Sequence, residues 1–122
     1  MRVTLTAICL AALSCSCTTA PQLGDVLAER LRKIPDWHPW NPMPPDARGT
    51  VVLRMDKRVA VRLDPGSPSV TCGAAMAIYN EQGYKAELLV VEVFQGHALG
   101  HLFLERPGSI VQAGDAAACK TP

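Results

Sequence analysis

The chain has 122 residues, of which 48% are hydrophobic and 19% charged, with a formal net charge of +1. That length bounds it to one domain at most, and the near balance of charge argues against nucleic acid as a partner, since a clustered basic surface is the electrostatic footprint of such binding. Aromatic residues are few, and ten prolines are many for this length.

Residues 1–17 read as a targeting segment. Met1-Arg2 is a short positive start, and residues 3–13 form an apolar run of signal-peptide length. The run falls short of the roughly 20 apolar residues that a membrane-spanning helix needs. The sequence that follows, A-L-S-C-S-C, resembles the lipobox of bacterial lipoproteins, in which a cysteine is lipidated and becomes the new N-terminus. Cys15 fits that signal better than Cys17, because leucine and serine precede it. The resemblance implies an exported protein held to the membrane by a lipid anchor. Neither Ser16 nor Thr18 is the aspartate associated with inner-membrane retention, so the outer membrane facing the periplasm is the expected location. That compartment is oxidising, and a thiol left unpaired there needs a reason.

Three parts follow from this reading: a signal peptide over 1–17, a tether with an amphipathic helix and a Pro/Trp-rich segment over 18–48, and a core domain over 49–122. Leu23, Val26, Leu27, Leu31 and Ile34 recur at helical spacing, which predicts a helix over 21–34. Residues 35–45 hold Trp37, His38 and Trp40 among five prolines, a density that no regular element survives. The segment is expected to lie extended over the domain. His38 has no partner at ligand spacing, and no residue set calls for a metal or cofactor. Val51, Leu53 and Met55, then Val59, Val61 and Leu63, alternate with other residues and predict a β-hairpin turning at Asp56-Lys57. Arg54, Lys57, Arg58 and Arg62 form a basic patch on it, either a solvated face or an attraction for an anionic ligand.

Asp64-Pro65-Gly66-Ser67-Pro68 is a turn cluster. Ser69 or Thr71 can cap a helix expected to run to Gln82, with Gly83 ending it. Residues 86–94 are a continuous β-rich run, as in a buried central strand. A turn at Gln95-Gly96, a strand over 101–105, a turn at Pro107-Gly108 and a strand over 109–113 complete an antiparallel meander. Val90, Val91, Leu102, Leu104 and Ile110 are expected inside, with Ala75, Met76 and Tyr79 packed on the sheet. The expected fold class is α+β, an antiparallel sheet around a central Cys-bearing helix.

In that arrangement Cys72 opens the helix, where unpaired amides and the helix dipole favour thiolate. A helix of about 11 residues climbs roughly 16 Å, and a strand returns that distance in about five residues. His101 then lies level with Cys72, and His97 beyond it. Asp115, or Gln112 as the alternative, is placed to orient the imidazole. The order T-C-G-A-A-M-A-I-Y, then Gly83-Tyr84-Lys85-Ala86, then Gly100-His101 resembles the bacterial transglutaminase-like cysteine peptidases of the papain-like fold. The resemblance covers residues 69–115. It implies Cys72 as nucleophile, His101 as general base (His97 the alternate) and Asp115 as orienting acid (Gln112 the alternate). A peptide or peptidoglycan-type amide would be the substrate, and no cofactor is needed. A cysteine hydrolase or acyl-transferase is one functional reading. The other is a non-enzymatic structural or binding lipoprotein, in which Cys72 and Cys119 form a disulfide, the commoner fate of a cysteine pair in an oxidising compartment.

Overall fold

The structure, a computed structural model, describes residues 22–42 and 46–119. The predicted signal peptide and both lipidation candidates, Cys15 and Cys17, lie outside the described residues. Among the described residues one helix, α1 (Leu23–Leu31), precedes six strands: β1 (Arg48–Met55), β2 (Arg58–Leu63), β3 (Ala75–Asn80), β4 (Gly83–Phe94), β5 (His97–Glu105) and β6 (Ala116–Cys119). The strands close into a barrel in the order β1-β2-β5-β4-β3-β6, with β6 pairing back onto β1. All pairings are antiparallel. This overturns the α+β expectation. The described residues form a mostly-β closed barrel with a single short helix, not a papain-like core built on a central helix.

The decisive departure falls on residues 72–82. Where a Cys-bearing helix was expected, Ala75–Asn80 is a strand paired with β4 on one side and β6 on the other. The period-2 pattern is present in the residues: Met76 and Ile78 enter the barrel core, while Ala77 and Tyr79 between them are only partly buried. Alanine and methionine are good helix formers, but propensity is a weak prior, and strand pairing on both edges outweighs it. Gly83 ends the segment as foreseen, but as part of a hairpin turn. Asn80 pairs with Gly83, and the Gln82 amide donates to Asn80 Oδ1 at 2.8 Å. A glycine at φ 120° serves this turn as readily as it would cap a helix.

The expected β1–β2 hairpin is present, with Met55 paired to Arg58 around Asp56-Lys57. The β4–β5 hairpin turns at Gln95-Gly96, both with positive φ, as a two-residue type I′ turn demands. The strand expected over 109–113 is not formed. The final strand lies further on, at β6. Its alanines are poor strand formers, yet β6 is hydrogen-bonded to β1 and to β3 and so closes the barrel.

Closure requires bent strands. The register shifts once in the β1–β2 pairing, once in β3–β4 and twice in β4–β5. The extra residues are Val52, Lys85, Val91 and Phe103. Each bulge adds local bend and twist, the device by which a flat ladder curls.

Val51, Val59, Val61, Met76, Ile78, Leu88, Val90, Leu102 and Val111 fill the interior. A second cluster lies outside the wall. Leu27, Leu31 and Ile34 of α1 and its exit press on Ala60 and Leu99, with Val52, Val91 and Phe94 around them. Strand β4 is therefore covered on both faces, with every residue from Lys85 to Val90 buried. Val90 and Leu102 are buried as expected, and Val91 is half-buried under the helix. Leu104 and Ile110, expected inside, are exposed: Leu104 follows the Phe103 bulge, and Ile110 lies in the loop where a strand had been expected.

Gly100 sits where β5 crosses the neck of the barrel against β4, and a Cβ there would overlap the carbonyl of Leu89. Gly100→Ala must push two strand backbones apart, which costs about 1–3 kcal/mol. Urea unfolding should show that loss, while Gly24→Ala, in open space on α1, should be neutral or stabilising.

Candidate functional site

Cys72 lies in the tight turn that enters β3. The turn is fixed by backbone bonds: the Gly73 amide donates to Val90 O at 2.6 Å, and the Val90 amide to Ala74 O at 2.9 Å. The segment after α1 docks on the same turn. The Asn41 amide donates to Gly73 O at 3.0 Å, and Asn41 Nδ2 to Cys72 O at 2.8 Å. Gly73 has φ 92°, and a Cβ on it would run into Pro39 O and the His38 ring. Residues 35–42 are thus a strap, tied at one end by Arg58 Nε donating to Ile34 O at 2.8 Å and at the other by the Cys72-Gly73 turn. The expected extended segment is present, and Trp40 stands edge-on to Phe103 with ring centroids 5.5 Å apart.

His101 is on β5 between Arg58 of β2 and Leu89 of β4. The bulge at Val91 shifts the β4–β5 register by one residue. The neighbour of His101, Gly100, pairs with Val90, and Val90 bonds the Gly73 turn. The thiol-bearing turn and the histidine strand are therefore level but separated by β4, two strand spacings or about 10 Å of backbone. Nδ1 of His101 is buried with no hydrogen-bond partner. His97 is buried beside the type I′ turn, its Nδ1 2.8 Å from Gln95 O.

Asp115 is far from either histidine. It lies 5% exposed at one end of the barrel, against Lys85, 7% exposed. Lys85 Nζ donates to Asp115 Oδ2 at 2.9 Å, to Oδ1 at 3.1 Å and to Ile110 O at 2.7 Å. The Gln112 amide donates to Asp115 Oδ2 at 2.9 Å. The Arg106 amide bonds Lys85 O, so this end is five β5 residues from His101, about 16 Å of strand. The structure brings Asp115 and Gln112 together, but around a lysine. It does not bring Cys72, His101 and Asp115 together. No disulfide joins Cys72 to Cys119; Cys119 pairs with Met76 in the β3–β6 ladder, away from the Cys72 turn.

Of the basic patch foreseen on the hairpin, three members are engaged. Arg54 Nη1 and Nη2 donate to Glu105 at 2.7 and 3.3 Å, Lys57 Nζ donates to it at 3.1 Å, and Arg58 ties the strap. Hydrogen bonds from Arg54 hold the Glu105 carboxyl well below its ordinary 4.5, at about 2, against the opposing effect of burial and with help from Lys57. Sequence reasoning missed the Lys85–Asp115 pair and this Arg54–Glu105–Lys57 cluster. The one available signal was a lysine heading an apolar strand, where a cation must be either exposed or paired.

No group of three metal-ligating side chains occurs among the described residues, and none of their helices is long and apolar enough to cross a membrane. Comparison with protein-family models, curated proteins and solved structures returns no match. The transglutaminase-like resemblance is therefore corrected. It rested on a helix opened by Cys72, and that stretch is a turn and a strand of a barrel.

Two outcomes follow from the charge pairs. Asp115→Ala leaves the Lys85 ammonium buried without its counter-ion and should cost about 3–5 kcal/mol in urea unfolding, whereas the Lys85→Met/Asp115→Leu double variant should cost much less. Glu105 has a lowered folded pKa, so its contribution is full above pH 4.5 and is lost as pH falls towards 2. Glu105→Gln should lower stability by about 1–3 kcal/mol at neutral pH and flatten the acid decline in that window.

Proposed function

We propose that the chain is a non-enzymatic envelope lipoprotein, a small β-barrel binding module carried on a lipid-anchored N-terminus. The observation that carries this reading is the engagement of Asp115 by Lys85. The acid that a Cys–His site needs as its orienting group is bonded to a buried ammonium at the far end of the barrel. The imidazole of His101 is left with no acceptor for its buried nitrogen, and the thiol turn lies across another strand. What the outer wall offers instead is recognition surface: exposed Trp37 and Trp40 on a strap, beside half-exposed Phe103. The anchor is supported by the short apolar run and the Ser-Cys pairs of residues 3–17.

The test is thiol reactivity on the mature protein. Iodoacetamide should modify Cys72 at the rate of an ordinary thiol, and His101→Ala should leave that rate unchanged. Fast modification near pH 6 that His101→Ala abolishes would restore the hydrolase reading. In cells, globomycin should cause unprocessed precursor to accumulate, and the Cys15→Ser/Cys17→Ser double variant should leave the membrane fraction. A double variant that stays membrane-bound excludes the lipid anchor.

A further inference from the structure

The strap leaves both tryptophans of the chain facing water. Trp37 is 67% exposed and Trp40 62% exposed, on a barrel whose other large apolar groups mostly found cover. Trp40 is braced edge-on by Phe103, the extra residue of a bulge on β5. The bulge turns the Phe103 ring outward, where it is 41% exposed. Asn41 and Arg58 fix the two ends of the strap, so the rings are presented by a restrained backbone.

The length of chain before α1 says what this surface meets. Residues 18–22 separate Cys17 from Leu23, the first residue of the helix. From Cys17 that is six residue steps, about 21 Å fully extended, and from Cys15 eight steps, about 28 Å, so the tether keeps the barrel close to the bilayer. A protein anchored at Cys15 or Cys17 is held with some face against the lipid headgroups. Helix α1 begins at that tether, and the strap continues directly from its end, over the wall formed by β2, β5 and β4. The amphipathic indole is the side chain that settles at a membrane–water interface.

We propose that the Trp37–Trp40 strap, with Phe103, is a membrane-docking face that seats the barrel on the bilayer to which its own N-terminus is anchored. The inference rests on the lipid-anchor reading. Near the strap Arg30 pairs with Glu92, Arg32 and Lys33 stand against Glu29, and Asp36 adds a further negative charge, a balanced set. Docking is therefore apolar, and it should be insensitive to the fraction of anionic lipid and to salt, unlike a polybasic contact.

Because Trp37 and Trp40 are the only tryptophans, their fluorescence reports the face directly. The full-length acylated protein is reconstituted in phosphatidylethanolamine/phosphatidylglycerol vesicles, with or without brominated phosphatidylcholine, and flotation is measured on the same samples. Docking predicts flotation, blue-shifted emission and strong quenching by bromine near the headgroup end of the acyl chain. It also predicts the same quenching at low and high phosphatidylglycerol, and partial loss in Trp37→Ser and in Trp40→Ser, both surface changes that leave the core intact. Protein that floats with water-like, unquenched emission overturns the docking and leaves the anchor standing. Protein that does not float overturns the anchor and the docking with it. Quenching that appears only with anionic lipid assigns the contact to charge and overturns the apolar face.

Discussion

One end of this barrel is held by an ammonium and a carboxylate taken out of water together. Lys85 reaches both oxygens of Asp115 and the carbonyl of Ile110, so every proton of the ammonium has an acceptor. Isolated burial of either charge would be prohibitive. The pair is tolerated because each partner completes the other. Its larger effect is on register. Lys85 is the extra residue of the β3–β4 bulge, and Asp115 immediately precedes β6. The backbone of Asp115 also receives the Val51 amide at 2.8 Å. The same contact thus fixes the bend in β4, the start of β6 and the edge of β1. Strand β6 is only four residues long, and without that fixed start it would have little to align it between β1 and β3.

The hairpin of β1 and β2, the β4–β5 hairpin and the short helix were legible because each is written locally. Alternating valines, a Gln-Gly turn and an i, i+4 leucine pair need no distant partner to be read. The segment 72–82 was not legible for the opposite reason. Ala-Ala-Met-Ala-Ile-Tyr supports either period, and Gly83 suits either ending. Its strand state is decided by hydrogen bonds to residues 83–89 and 116–119, which only the closed barrel supplies. Strand β6 was missed likewise: three alanines carry no strand signal until two ladders flank them.

The candidate site inherited the same weakness. Placing His101 near the level of Cys72 was nearly right, since Gly100, Val90 and Gly73 are linked in one row. The helix that was to bring the thiol to the ring does not exist, and a strand lies between them instead. Asp115 was noticed as an acid after a glycine, but the residue that claims its charge, thirty positions earlier, could not be recognised from spacing. The tryptophans were read as a strap over the domain. Their exposure could not be read, because it depends on how much of the wall α1 already covers.

The barrel and the reading built on it stand or fall on the state of residues 72–82. Inter-strand nuclear Overhauser contacts in the isotopically labelled protein address this directly. The account predicts contacts joining Met76 to Leu88 across one ladder and to Cys119 across the other, with slow amide exchange through β3. A run of sequential i, i+3 contacts from residue 72 to residue 82, with no contact between Met76 and Cys119, would contradict it and return the thiol to the head of a helix.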